Sequence, residues 1–398
     1  MAIHSQKSSF QAFREHHLIQ LLNGFEGTHY PLDLYISFYF KDNRALGSKD
    51  RAEISDLAYS LVRWKGLLDH LSKNSSSWEE RYYTYKKYSP FDSTELHSLD
   101  LYIQASFPKE LFQLIEESYG KNTLSLCKIC NTRAPTTVRI NPLKTTRDKL
   151  LQSWQETHNL SPCKVSSLGI TFHEKVHFFS MPEFKNGLFE MQDEGSQLIA
   201  EMIQAKPGDL VLDYCAGSGG KTLGFAHKLQ GKGQIYLHDV RPKALQEAKQ
   251  RLKRAGIQNG QIIRSDDTYL KKLKKKMDWV LVDAPCSGTG TLRRNPDMKW
   301  RFSKNNFNLL LGEQRLIFEK ALSFVKPHGF IVYATCSLLK QENELQTEHF
   351  LKTYPIVQVG TVFKSLPTLN GMDGFYAVLF QKKESLLLNS QPGLCTKD

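Results

Sequence analysis

The sequence has no long apolar run: nowhere does it hold the roughly 18 consecutive apolar residues that a membrane helix needs. Its opening stretch, MAIHSQKSSFQAFREHH, lacks the apolar core of a secretory leader. Cysteine is sparse and unpatterned. There are seven in 398 residues, an odd number with no spacing framework, which argues against a disulfide-built scaffold. Together these absences predict a soluble cytoplasmic protein with reduced thiols. Internal repeats and low-complexity tracts are missing too. Acidic residues are in deficit, 41 against 53 Lys and Arg, for a net charge of +12. That surplus favours a polyanionic partner, although a basic surface also serves solubility.

What remains is an ordinary globular composition, 40% hydrophobic and 24% charged, in a chain long enough for two or three domains. Residues 1–75 read as helices, because FQAFREHHLIQLLNGF and RAEISDLAYSLVRWKGLLDHLSK place apolar residues three and four apart. Residues 76–106 are polar and rich in turn formers, and read as a linker. Residues 107–185 mix helical stretches with the short strands TTVRIN and GITFHE, a small α+β region. Across 186–385 apolar runs (LVLDYCA, QIYLHD, QIIRSD, WVLVDAP, GFIVYATCS) alternate with helical stretches. That alternation predicts an α/β, doubly wound parallel sheet, whose ligands bind beyond the carboxyl ends of its strands. Residues 386–398 read as a tail.

The first strand candidate of that region runs into a glycine-rich turn, VLDYCAGSGGKTLGF. A phosphate-gripping P-loop fits at Gly220, Lys221 and Thr222 but fails at its first glycine, where Cys215 stands. The dinucleotide fingerprint fails on the spacing of Gly217, Gly219 and Gly220. S-adenosylmethionine carries a ribose and a sulfonium but no phosphate. It needs close backbone approach and an acid at the next strand end. Asp239 ends the next strand, twenty residues after Gly219, where a ribose-recognising carboxylate belongs. Asp266 and Asp283 end the two strands that follow, placed toward the adenine and the methyl-donor end. One strand-end aspartate is more often a cap, but three in succession favour the cofactor.

Two of those strand ends also carry thiols, Cys286 in DAPCSG and Cys336 in YATCSL. Nitrogen needs no help to accept a methyl group, whereas carbon 5 of a pyrimidine does. A thiolate adding to carbon 6 makes carbon 5 nucleophilic, and a base must then remove the carbon-5 proton. Most cysteines are inert core residues, and Cys163, Cys215 and Cys395 are read so as thiols. Cys127 and Cys130 form a lone C-x-x-C, and only His173 and His177 could complete a zinc site, so no metal is expected. A zinc cytidine deaminase is ruled out by Lys175 and Thr289, which stand where its Glu and second Cys would be.

The ordered motifs MQDEGSQLIA, CAGSGGKT, DAPCSGTGTLRRNPDMKW and YATCSLLKQENE resemble those of RNA 5-methylcytosine methyltransferases of the RsmB/Sun family. The resemblance covers residues from about 107 to 385. LGSKDRAEISDLAYSLVRW resembles the NusB-like helical domain of the bacterial branch. It implies a Rossmann-like class I methyltransferase sheet behind an all-α NusB-like region, with RNA as partner. It makes Cys336 the nucleophile and Cys286 the aid to product release, with Asp283 touching both cytosine and cofactor. Cys215, Ala216, Gly217, Ser218, Gly219, Gly220, Lys221, Asp239 and Asp266 would hold S-adenosylmethionine. The opposite assignment of the thiols stays open, because Cys286 beside Asp283 would also suit attack, as in DNA 5-methylcytosine enzymes. The family reads Ala-Pro where this chain has Gly217-Ser218, a change expected to loosen the turn, and the helical region is shorter than a full NusB-like domain.

In TLRRNPDMKWRF, Arg293, Arg294 and Lys299 stand among aromatics, a mixture expected to meet phosphates and splayed bases. The expected product is 5-methylcytosine in 16S ribosomal RNA, made by a monomer. Transfer RNA is the alternative substrate, and an idle RNA-binding assembly factor is the alternative function. The lysine run KKLKKKM reads as an exposed helix face.

Overall fold

The computed structural model describes residues 2–72, 77–89, 91, 94–264 and 268–384. Apolar spacing of three and four builds α1 (Ala2–Phe25), α2 (Leu32–Asp42) and α3 (Ser48–Leu71). Their shared core is Leu18, Leu21, Leu22, Ile54, Ala58, Leu61 and Leu68. Residues 76–106, read as a linker, are corrected here. They contain α4 (Trp78–Tyr88), started by Ser77, whose side chain accepts from the Glu80 amide. Trp78 and Tyr82 are buried in the same core as α1–α3. The helix escaped notice because its inner face is aromatic and its outer face is Lys and Glu, with little aliphatic periodicity. Arg81 stacks over Trp78 at 4.3 Å and binds Asp69 at 2.6 Å, so a polar residue does core work.

α5 (Leu101–Gln104), α6 (Lys109–Tyr119) and α7 (Thr123–Cys130) follow. Their apolar faces do not join the small sheet beyond them. They pack instead against Leu292, Phe307, Leu338 and Leu339 of the large domain. Cys127 and Cys130 are buried in that contact, and burial pushes the Cys130 thiol up to about 12. The small sheet holds β1 (Thr136–Ile140), β2 (Leu160–Pro162), β3 (Gly169–Phe172) and β4 (Phe189–Met191) in the antiparallel order β2-β3-β1-β4. Its core is Val138, Ile140, Trp154, Ile170, Phe172 and Phe189. The boundary expected at residue 185 is therefore corrected: β4 lies beyond it and pairs with β1, Val138 opposite Met191.

The large sheet runs through β5 (Leu210–Asp213), β6 (Gln234–Asp239), β7 (Gly260–Arg264), β8 (Met277–Asp283), β9 (Val325–Thr335), β10 (Ile356–Ser365) and β11 (Phe375–Lys382). Its order is β10-β11-β9-β8-β5-β6-β7. β5 to β9 are parallel, and β11 lies antiparallel between β9 and β10. Consecutive residues point to opposite faces, so Val211 enters one core and Leu212 the other, and a sheet covered on both sides reads as unbroken apolar runs. The helix Pro242–Ala255 covers one face through Leu245, Ala248 and Leu252, and the helix Lys304–Leu322 covers the other through Phe318 and Ala321. Each such leucine or phenylalanine contributes about 2 kcal/mol by burial. The chain moves outward from β5 through β6 to β7, then crosses back to β8. This reversal opens a crevice at the carboxyl ends of β5 and β8, where a ligand has room. Among the described residues no helix is long and apolar enough to cross a membrane.

Candidate active site

β5, β6 and β8 each end on an aspartate, and the parallel register brings Asp213, Asp239 and Asp283 to one edge. Asp239 is buried. It accepts from the Gly217 amide at 2.8 Å, the Arg241 amide at 2.9 Å and the Arg241 guanidinium at 2.9 and 3.0 Å. Burial alone would raise its pKa, but these donors outweigh burial and hold it below the usual carboxylate range. Arg241 was not singled out in the sequence. It closes over the carboxylate that a ribose would use, yet its side chain is 69% exposed and its one ion pair among the described residues is with Asp239.

Residues 215–221 form the turn between β5 and the next helix. Gly217 (φ +54°) and Gly219 (φ +78°) adopt left-handed backbone, which glycine tolerates at no cost. A Cβ at Gly219 would lie 3.3 Å from that of Ala248. The Gly217-Ser218 pair does not leave the turn loose, as the sequence led us to expect. Arg251 donates to the Ser218 hydroxyl at 2.7 Å and to its carbonyl at 3.0 Å, while Asp239 holds Gly217. From the small sheet, Arg139 donates to the Gly220 carbonyl at 3.0 Å. Burial pushes the Cys215 thiol well above its ordinary pKa. Asp266 lies outside the described residues, as do Cys395 and the tail at 386–398.

Asp213 is buried with one oxygen accepting from the Thr222 hydroxyl at 2.6 Å and the other, Oδ1, without a partner among the described residues. Burial pushes its pKa up to about 7, with Asp283 and Asp239 adding to the rise. Lys221 points the other way, into an ion pair with Asp283. Burial would lower the Lys221 pKa, but the charge and hydrogen bond of Asp283, then the nearby Cys336 sulfur, raise it above its ordinary value. The sequence places Lys221 in the cofactor turn and among the basic residues near the active edge, but not against Asp283. Its reach to Asp283 depends on β5 and β8 being neighbours.

Cys286 and Cys336 follow the neighbouring strands β8 and β9, and their sulfurs lie 3.4 Å apart. The Cys336 amide also donates to the Cys286 sulfur at 3.3 Å. A hydrogen bond to Cys336 and burial keep the Cys286 pKa well above that of a free thiol, so Cys286 holds its proton. The two loops are tied together from below by Glu342, which is fully buried. It accepts from the Ser287 amide at 2.8 Å, the Ser287 hydroxyl at 2.5 Å, Gln314 at 2.9 Å and the Ser337 hydroxyl. Burial nevertheless raises its pKa above the usual value. The serine after each cysteine was visible in the sequence, but its shared partner was not.

The expected RNA contacts fare differently, and two need correction. Arg293 is fully buried, paired with Asp373 at 2.7 Å and donating to the Thr368 and Gly371 carbonyls at 2.7 Å. Lys299 is 1% exposed and donates to the Arg63 carbonyl and to Asn131, both at 2.7 Å. Neither side chain can meet a phosphate without unfolding its surroundings. Arg294 is half-buried and bridges Asp373 at 2.6 Å and Asp193 at 2.8 Å. With Trp300, which donates to the Val62 carbonyl at 2.6 Å, this stretch docks the helical region onto the large domain. An open cleft of about 530 Å³ lies beyond it, reaching Ser287 but neither thiol.

The residues present suit S-adenosylmethionine. A strand-end carboxylate, a close-packed glycine turn and a buried, unpartnered carboxylate oxygen converge where a ribose and a cation would be held. Residues 200–381 match the family model for the 16S rRNA methyltransferase RsmB/F, and residues 107–178 match the ferredoxin-like domain of the same proteins. A relative from Synechocystis, a probable ribosomal RNA small subunit methyltransferase B, is 34% identical over 70% of this chain and 67% of its own length. The ribosomal RNA small subunit methyltransferase B of Vibrio vulnificus is 30% identical over 72% and 68%. A methyltransferase homologue from Pyrococcus horikoshii superposes with a TM-score of 0.64 at 25% identity, covering 73% of this chain and 99% of that one. The chain belongs to the RsmB/F family of 16S rRNA methyltransferases, with S-adenosylmethionine as its cofactor.

Proposed function

We propose that this protein methylates carbon 5 of a cytosine in small-subunit ribosomal RNA, with Cys336 as the nucleophile. The observation that carries the reading is the pair of sulfurs 3.4 Å apart beside the Lys221–Asp283 ion pair. Amine methylation has no use for either thiol. The cofactor, held by residues 215–221 and Asp239, supplies an electrophilic methyl group.

The roles follow from charge. Two sulfurs this close do not both ionise readily, and the site titrates as a pair. Cys286 keeps its proton and Lys221 sets an ammonium near Cys336, so Cys336 is the sulfur that attacks, its proton passing to solvent. Its sulfur adds to carbon 6 of the base, and electron density moves to carbon 5. Asp283, fixed by Lys221, accepts a hydrogen bond from the ring's exocyclic amine and orients it. Once Cys336 is committed to the sulfur–carbon bond, its hydrogen bond no longer holds the proton on Cys286, and burial alone keeps that pKa raised. Cys286 then gives its own proton to solvent and accepts the carbon-5 proton in its place. The sulfur–carbon bond breaks, and Cys336 leaves as a thiolate. The target base must leave its stack to reach sulfur at the strand ends, which favours a loop or bulge over a continuous helix.

Transfer of a labelled methyl group to small-subunit RNA lacking the modification tests the activity. Bisulfite sequencing of RNA from cells with and without the protein locates the cytosine. Detectable transfer excludes an idle assembly factor, and a label found on nitrogen would overturn the carbon-5 assignment. A modified cytosine in transfer RNA would leave the chemistry intact and change the substrate.

A further inference from the structure

With Arg293 and Lys299 committed to the interior, the basic surplus must meet RNA elsewhere. Where the helical region, the small sheet and the loop after β8 converge, a cleft of about 460 Å³ is lined by Ser55, Tyr59, Arg63, Arg133 and Arg294. Residues 55, 59 and 63 are four apart and so share one face of α3. Arg63 is only 8% exposed. One of its nitrogens donates to the Arg293 carbonyl at 2.9 Å, but its buried Nε has no hydrogen-bond partner among the described residues.

No carboxylate is among the groups that act most strongly on Arg63. Burial pushes its pKa down to about 10, Tyr85 and Tyr59 oppose this weakly, and the neighbouring Arg133 charge pushes it down again. A buried guanidinium repelled by a second one, with a donor left over, is a costly arrangement without an anion. Arg294 already has two carboxylates, and Asp56 on the rim is engaged by Lys175 and lies 3.9 Å from Arg133. That leaves Arg63 without a carboxylate among the described residues, and Arg133 with a long ion pair to an Asp56 that Lys175 shares. Past Arg133 the cleft continues into a second hollow of about 490 Å³ that includes His173, Lys175 and Asn370. Two hollows that share Arg133, Ala134 and Thr136 suit a strand better than a single ion.

We propose that Arg63 and Arg133 form a binding site for a backbone phosphodiester of the RNA substrate, gripping the strand at the seam between the helical region and the small sheet. The planar donors of arginine fit two phosphate oxygens at once. Such a contact adds affinity and register but reads no sequence. This inference rests on the RNA-methyltransferase reading.

The test is the salt dependence of RNA binding by the full chain, for wild type, Arg133→Ala and Arg63→Met. Arg133 is 64% exposed at its side chain, so its removal spares the fold, while Met keeps most of the volume of Arg63. Each variant should bind about tenfold more weakly at low salt, by the same factor for unrelated RNA sequences. The slope of log affinity against log salt should fall by about 0.7 for each phosphate that the variant no longer neutralises. S-adenosylhomocysteine affinity should not change. A second arm measures the melting temperature in inorganic phosphate against chloride of equal ionic strength, with protection expected in wild type and not in Arg133→Ala. An unchanged RNA slope in Arg133→Ala overturns the proposal, even if inorganic phosphate protects, because the site would then serve a free anion. If wild type methylates RNA and the slope is unchanged, this inference alone fails. A wild type that methylates no RNA removes the proposed function as well.

Discussion

Residues 283–288 and 291–302 are two parts of one loop leaving β8, and they use the same residue types for opposite ends. In the first, Asp283 and Cys286 point at each other's neighbours, Lys221 and Cys336, and stay within reach of the crevice. In the second, Arg293, Lys299 and Trp300 look equally reactive on paper but have every polar atom drawn into Asp373, Asn131 and backbone carbonyls. The difference is not composition but what lies opposite. β9 brings a second thiol against the first part, whereas α3 and the 368–373 segment bring oxygen acceptors against the second. A charged residue whose donors are all satisfied in the interior is structural, whatever its spacing suggests.

Substituting across that loop separates the two halves. The largest effect is expected for Cys336→Ala, which should lower methyl transfer by about a thousandfold or more without leaving RNA attached. Cys286→Ala should instead accumulate a protein–RNA adduct that survives denaturing electrophoresis. An adduct with Cys336→Ala would reverse the two roles. Arg293→Ala should cost about 3–5 kcal/mol of stability by removing one of the two cations on buried Asp373 and the donors to the Thr368 and Gly371 carbonyls, read as a shifted denaturant midpoint. The slope of RNA binding against salt should stay at its wild-type value, and a fall in that slope would return Arg293 to the RNA.

Asp213→Asn sharpens the cofactor side. The native carboxyl holds its proton up to about pH 7, the unfolded one only to about pH 4. Between these values the native state binds more protons, so wild-type stability falls as pH rises. Asparagine should therefore stabilise by only about 1.5 kcal/mol at pH 5 and by about 4 kcal/mol at pH 8 on the linkage arithmetic. Equal unfolding midpoints at both pH values would mean that the site is less dry than its burial implies. The smallest effect is expected from Asp239→Ala. It should weaken S-adenosylhomocysteine binding by about ten- to a hundredfold in calorimetry and leave RNA affinity unchanged. Equal loss of both would count against a ribose role.

Much of this was legible in the chain. Five apolar runs with helices between them read as a doubly wound sheet, because a sheet covered on both faces leaves no polar alternation. The glycine turn and the aspartates at 239 and 283 were legible because backbone approach and strand ends leave local marks. So were Cys286 and Cys336, each straight after an apolar strand. α4 was not, since aromatic and stacked arginine contacts make a core without aliphatic spacing. Glu342 was not, because its partners Ser287 and Gln314 lie far from it in sequence.

The sequence by itself determined which residues could do chemistry and that the two thiols would stand at strand ends. Those traits depend on residue type and on periods of two or 3.6, which are local. Only the tertiary structure decided how the cations are used: Lys221 on Asp283, Arg293 on Asp373, and Arg63 left with a donor that has no partner among the described residues. Pairing of charges is set by what the fold brings opposite each one, and desolvation makes every such meeting either strongly favourable or strongly unfavourable.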